Sequence, residues 1–252
     1  MSETAEVTIV GSYVSPYVRK VLACLMLKGI EFEIDPITPF YGNEEFTRLS
    51  PLRRIPVLIQ GDLALSDSSV ICAWIEEAYP DRHPLLPATP ADRARARWLE
   101  EFADTRMGDV FIWDLFYQKV VHPIVWHEPG DAARIEDALN VGIPSVLDYL
   151  EGELPQDGFI FGEVGLADVA IASFFRNAQY AGYEADAQRW PRAAGFVSRM
   201  LSHPVFERLA EFERAQFGVK PAERRAALEA VGARLTETTY GLPEPQKGTM
   251  RL

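Results

Sequence analysis

Residues 7–35 read VTIVGSYVSPYVRKVLACLMLKGIEFEID. Val7 to Val10 is a β-branched run closed by Gly11, which predicts a short buried strand. From Pro16 to Lys28 the apolar residues Val18, Val21, Leu22 and Leu25 share one helical face. Gly29 is placed to end that helix. Glu31 to Asp35 alternates polar and apolar, so it reads as a second strand. A strand–helix–strand unit of this length implies parallel pairing through a right-handed crossover.

Further on, Glu44 to Leu49 suits a short helix. Val57-Leu58-Ile59 and Leu63-Ala64-Leu65, separated by Gly61-Asp62, read as a hairpin, with Pro56 opening an edge strand. Ser68 to Tyr79 is helical and is stopped by Pro80. Pro80, Pro84, Pro87 and Pro90 then crowd one stretch, the best linker candidate. Beyond it the pattern is helical: Ala91 to Val121, Asp131 toward Leu154, Leu166 to Tyr180, Pro191 to Leu201, Val205 to Phe217, and a less apolar last helix over Pro221 to Leu235. The expected domains are residues 1–82 (α/β), a linker at 83–90, an all-helical domain at 91–235, and an irregular or mobile tail at 236–252.

Composition limits the function. Of 252 residues, 48% are hydrophobic and 25% charged, enough to bury a sizeable core. Subtracting 37 acidic from 25 basic residues leaves a net charge of −12, which disfavours nucleic acid and anionic membrane as partners. Arg224-Arg225 reads as a solvated pair. Cys24 and Cys72 lie in apolar helical patterns and read as buried, reduced thiols. The four histidines have no ligand spacing, so no metal is expected. The start, Met1 to Glu6, has neither a basic segment nor an apolar one, and no apolar run reaches the length of a membrane span. The expectation is a soluble, cytoplasmic protein.

Three segments can carry chemistry. In Ser12-Tyr13-Val14-Ser15-Pro16-Tyr17, Ser15 is placed as N-cap and Pro16 as first helical residue. A helix start is all this need mean. The same geometry also stabilises a thiolate, because the free N–H groups and the positive end of the dipole lower a thiol pKa. In Arg53-Arg54-Ile55-Pro56-Val57, a cis bond before Pro56 would turn the Ile55 backbone toward that helix start. In Ser66-Asp67-Ser68-Ser69, Asp67 either caps a helix or pairs with an α-amine while Ser68 takes the α-carboxylate.

In this order and spacing the three segments resemble the cytosolic glutathione transferase family, over roughly residues 7 to 215, with the serine-type classes closest. The resemblance implies an α/β thioredoxin-like N-terminal domain followed by an all-α C-terminal helical domain. It implies that Ser15 activates the thiol of glutathione, that Ile55 and Pro56 bind its cysteinyl backbone, that Asp67 and Ser68 hold its γ-glutamyl end, and that Arg54 touches its glycyl carboxylate. Tyr13 and Ser12 are rival activators. Gly162-Glu163-Val164-Gly165-Leu166-Ala167-Asp168 resembles the family's core-helix start, with Asp168 in a structural role. Gly165 departs from the usual Ser or Thr and loses half of the capping box. Trp113, Phe116, Tyr117 and Trp126 form either ordinary core or, with Tyr13 and Tyr41, a wall for the second substrate. The implied activity is conjugation of glutathione to a hydrophobic electrophile, a detoxification reaction. The alternatives are ether or halide cleavage, isomerisation, peroxide reduction, or a non-catalytic ligand-binding module. A homodimer is implied as well.

Overall fold

The β-branched run does form a strand, β1 (Val7–Val10), and the rest of the N-terminal pattern follows in order. In the computed structural model, residues 7–220 and 223–247 are described. The reading of Met1 to Glu6, and Pro221-Ala222 of the last expected helix, lie outside them. After β1 come α1 (Pro16–Leu27), β2 (Phe32–Asp35), α2 (Glu44–Leu49), β3 (Val57–Gln60), β4 (Leu63–Ser66) and α3 (Ser68–Ala78). The four strands make one sheet in the order β2-β1-β3-β4. β1 and β2 are parallel, with Val7 beside Phe32. β3 runs antiparallel to β1, and β4 antiparallel to β3, with Val57 beside Ser66. This is the thioredoxin-like arrangement that the resemblance implied.

Pro56 does not open an edge strand. β3 is interior, paired on both sides. The missing N–H does no harm, because Pro56 stands one residue before the ladder begins. Val10, Ile37, Phe46 and Val57 form a buried cluster under this end of the sheet.

Among the described residues the chain divides into two compact units, one of residues 1–83 together with 204–252, the other of residues 84–203. The second unit is helical. α4 (Pro90–Phe102) continues through a π-wound stretch, Ala103–Val121, into α5 (His122–Trp126). Next come α6 (Ala132–Asp137), α7 (Ile143–Glu153), α8 (Leu166–Tyr180) and α9 (Pro191–Leu201). α8 is its buried centre; Val169, Ala170, Ile171, Ala172 and Phe174 are fully enclosed.

The start of α8 explains the departure at Gly165. Asp168 accepts the Gly165 N–H at 3.0 Å and the Ile160 N–H at 2.9 Å. Gly165 has no side chain to return a cap, yet the Leu166 N–H is met by the Leu85 carbonyl at 2.8 Å. A Cβ on Gly165 would lie 2.8 Å from that same oxygen. The linker carbonyl thus meets the first N–H of the helix, and only glycine leaves room for it. Desolvation raises the Asp168 pKa to about 6.

α10 (Pro204–Gln216) and α11 (Arg224–Ala230) group with the first unit. Up to Lys247 the tail is irregular but bonded; the rest of the expected tail, 248–252, lies outside the described residues. Ile34 N–H donates to Arg234 O at 3.0 Å, and Thr236 N–H to Ile34 O at 3.2 Å. The outer edge of β2 is thereby covered. Further along, the Leu242 N–H reaches Tyr41 O at 2.6 Å and the Asn43 N–H reaches Tyr240 O at 2.8 Å. Arg224-Arg225 is not a solvated pair either, since Arg225 donates to Thr236 O and lies 3.6 Å from buried Asp35. Cys24 and Cys72 are buried and unbridged, but they are neighbours, with sulfurs 3.7 Å apart.

Candidate functional site

The residues singled out in the sequence come from loops at one end of the sheet. Gly11 follows β1, Ile55 and Pro56 precede β3, and Asp67 follows β4. Because Val57 pairs with Ser66, the last two loops are adjacent. Gly11 is where chains approach closest: a Cβ there would fall 2.5 Å from Val18 Cγ2 and 3.3 Å from Ile55 Cβ. The end of β1, the first turn of α1 and the Ile55 loop therefore meet at a glycine that nothing larger could replace. The Ile55–Pro56 bond is cis.

Ser15 is the N-cap of α1, extended at φ −70° and ψ 130°, and half-buried. Its Oγ accepts the Val18 N–H at 3.4 Å. That bond uses a lone pair of the oxygen and leaves the hydroxyl hydrogen for another acceptor. No acidic residue lies in the first turn of α1 to offset the dipole. Of the rivals, Tyr13 is 1% exposed and stacks on Phe212 with centroids 4.8 Å apart. Burial pushes its hydroxyl pKa well up. Such a phenol neither gives up its proton readily nor lines a substrate wall. Ser12 is buried too, and its hydroxyl donates to Gln216 Oε1 at 3.2 Å.

Asp67 caps α3. Its Oδ1 accepts the N–H groups of Ser69 at 3.0 Å and Val70 at 3.2 Å, and the side chain is exposed. Both of these bonds go to one oxygen, Oδ1. Asp67 sits at φ 87°, in the left-handed half of the map that side chains rarely adopt. Such outliers collect at functional sites. Ser68 beside it is 5% exposed.

The two neighbouring arginines separate sharply. Arg53 is buried and donates to the carbonyls of Pro39 at 3.2 Å and Gly42 at 2.7 Å and to the Thr47 hydroxyl at 2.5 Å. Desolvation lowers its pKa. It holds the loop after β2. The Arg54 side chain is exposed, while its backbone is fixed by Ser50 Oγ, which accepts the Arg54 N–H at 2.9 Å and donates to its carbonyl at 2.8 Å.

Sequence reasoning missed the residue that ties the helix starts together. Lys20, wholly buried on α1, donates from Nζ to Ser69 Oγ on α3 at 3.2 Å. Arg19 beside it pairs with Glu213 of α10 at 2.5 Å, both buried. Adjacent cations within an apolar helix were a legible sign of partners elsewhere.

In the helical unit, Trp113 lies 5.6 Å from Tyr117, and Trp126 Nε1 donates to the Tyr117 hydroxyl at 3.0 Å. Phe116 and Tyr117 are core, while Trp113 and Trp126 are half-buried. Among the described residues no cluster of His, Cys, Asp and Glu could hold a metal ion. No described helix is long and apolar enough to cross a membrane.

Residues 9–83 match the family model for the glutathione S-transferase N-terminal domain, and residues 132–199 match that for the C-terminal domain. Glutathione S-transferase U7 of Arabidopsis thaliana is 26% identical over 214 residues, covering 82% of this chain and 88% of that protein. A protein of Escherichia coli (strain K12) called uncharacterized GST-like protein YibF is 29% identical over 208 residues, or 79% and 96% of the two chains. The solved glutathione S-transferase of Rhodospirillum rubrum F11 superimposes with a TM-score of 0.74 at 24% identity, covering 85% of this chain and 94% of that one. FzlA from C. crescentus gives 0.76 at 24% identity, covering 88% and 99%. At that identity the two solved structures bear on the fold alone.

Proposed function

We propose that this chain, which belongs to the glutathione S-transferase family, joins the sulfur of glutathione to an electrophilic carbon of a hydrophobic second substrate, with Ser15 activating the thiol. The observation that carries this reading is the Ser15 hydroxyl, which caps α1 and keeps its hydrogen available at the positive end of the helix.

Glutathione supplies the thiol, and the rest is the work of the chain. The Ser15 hydroxyl donates to negative charge on sulfur and, with the dipole of α1, lowers the thiol pKa. The Ile55 backbone, beside Gly11, pairs with the peptide of the ligand. Asp67 Oδ2 meets its α-amine, Ser68 and the start of α3 take its α-carboxylate, and Arg54 reaches the glycyl end. These groups position the sulfur, which is the larger part of such catalysis. The hydrophobic class of the second substrate, a homodimer and a cytoplasmic location come with the family.

The test is product analysis with glutathione and a series of aryl and alkyl halides. In each reaction a carbon–sulfur bond forms, halide leaves with its electron pair, and the thiol proton goes to solvent. The expected product is the sum of both reactants less hydrogen halide by mass. Glutathione bound tightly with no conjugate from any halide would sink the reading.

A further inference from the structure

We propose that Gln216, on α10, is a positioning residue for the Ser15 loop and acts through Ser12; this rests on the reading of Ser15 as thiol activator. The loop is a tight turn organised by Ser12. The Ser12 carbonyl accepts the Ser15 N–H at 3.0 Å, and the Ser12 Oγ accepts the Val14 N–H at 3.4 Å. Ser12 therefore holds the start of the helix twice, its carbonyl on Ser15 and its hydroxyl on Val14, the residue before. The Ser12 hydroxyl is held from outside the loop by Gln216 Oε1 at 3.2 Å.

The same helix holds the neighbouring positions. Phe212 stacks on Tyr13 at 4.8 Å. Glu213 pairs with Arg19, whose Nη2 donates to the Val14 carbonyl at 3.4 Å. The residues before Ser15 are thus fixed from one face of α10, formed by Phe212, Glu213 and Gln216. These three residues and the loop belong to one compact unit.

Gln216 is a poor choice for stability. It is 6% exposed, on a face shared with Phe206, Leu209 and Ala210, and its Nε2 has no hydrogen-bond partner among the described residues. A buried amide satisfied at one end costs more than an apolar side chain of the same length. What the amide adds is a directional hold on Ser12. A hydroxyl aimed at sulfur depends steeply on such placement.

The experiment compares wild type with Gln216→Met, Ser12→Ala, the double variant and Ser15→Ala. Each is read by glutathione affinity, thermal stability, kcat, and the ultraviolet thiolate signal of bound glutathione against pH. Met matches the length of Gln and leaves no orphaned amide, so folding is expected to survive. Gln216→Met should raise the thiol midpoint by about half a unit to one unit and lower kcat about three- to tenfold. Affinity should stay within about twofold, since binding groups lie elsewhere. Ser12→Ala should do the same, and the double variant should be no worse than either single change, because both cut one connection. An unmoved midpoint and kcat in Gln216→Met, with Ser15→Ala still impaired, overturns the role of Gln216 and leaves Ser15 standing. Additive losses, or a fall in stability and affinity together, also overturn it in favour of a purely structural residue. A wild-type thiol with an ordinary pKa overturns both readings.

Discussion

The Asp35 carboxylate accepts the Tyr240 N–H at 2.7 Å, joining the last residue of β2 to a point 205 residues later. The Thr239 hydroxyl donates to the other oxygen at 2.8 Å. Asp35 is 1% exposed, and desolvation raises its pKa. Asp35→Ala should cost about 3 kcal/mol, because it removes charge-assisted bonds and strands their donors. Amide exchange at residues 234–242 should quicken while α7 stays protected. Equal protection of Tyr240 in both proteins would mean that the backbone bonds hold the tail unaided.

Asp67→Asn separates capping from charge. One oxygen of Asp67 takes both α3 N–H groups, and an asparagine oxygen can do the same. Stability should hardly change, while glutathione affinity falls about tenfold through loss of the pair with its α-amine. Unchanged affinity by isothermal titration would remove Asp67 from the site and leave it a cap.

Gly165→Ser restores the residue usual at this position, yet here it should destabilise. The new Cβ would fall 2.8 Å from the Leu85 carbonyl, which is backbone and already bonded to Leu166. A loss of about 1 kcal/mol or more in urea unfolding is expected. A gain would show that the linker carbonyl moves freely.

Asp168 makes a pH prediction. Its folded pKa, about 6, exceeds the ordinary 3.8 because burial penalises the charge. A raised carboxyl pKa favours the fold below the unfolded value, and that contribution is lost as pH rises through the folded one. Relative to Asp168→Asn, wild type should therefore gain about 3 kcal/mol as pH falls from above 6 to below 4. A constant difference across that window would contradict the shift.

The legible parts of the sequence were those settled locally. α8 and α9 start where Gly165-Leu166 and Pro191 place them, since a cap and an N1 proline act within one turn. The hairpin of β3 and β4 was legible from Gly61-Asp62 for the same reason. The tail was not, because its bonds run to the backbones of Ile34, Phe40 and Tyr41 and to one distant carboxylate. Backbone donors look alike in every sequence. Arg225 misled for a related reason: a pair of arginines resembles a solvated surface until Asp35 is seen beside it. At the candidate site, Ser15, Asp67 and the Ile55–Pro56 pair were singled out by the resemblance that their order and spacing carry, whereas Lys20, Glu213 and Gln216 depend on packing between α1, α3 and α10. For Glu213 and Gln216 the sequence sign was polar character at positions that the helical period assigns to an apolar face, whereas Lys20 lies off the Val18–Leu25 stripe and its sign was charge next to Arg19 in an otherwise apolar helix.

Ser15→Ala should lower kcat about a hundredfold, as loss of one preorganised donor does elsewhere, with glutathione affinity nearly kept. Turnover equal to wild type would move activation away from Ser15.

The central claim is that the start of α1 makes bound glutathione a thiolate, and titrating its ultraviolet thiolate signal on the wild-type protein tests this most directly. A midpoint at least about one unit below the ordinary thiol value of about 8.5 is predicted. A bound thiol that titrates where the free tripeptide does would contradict it.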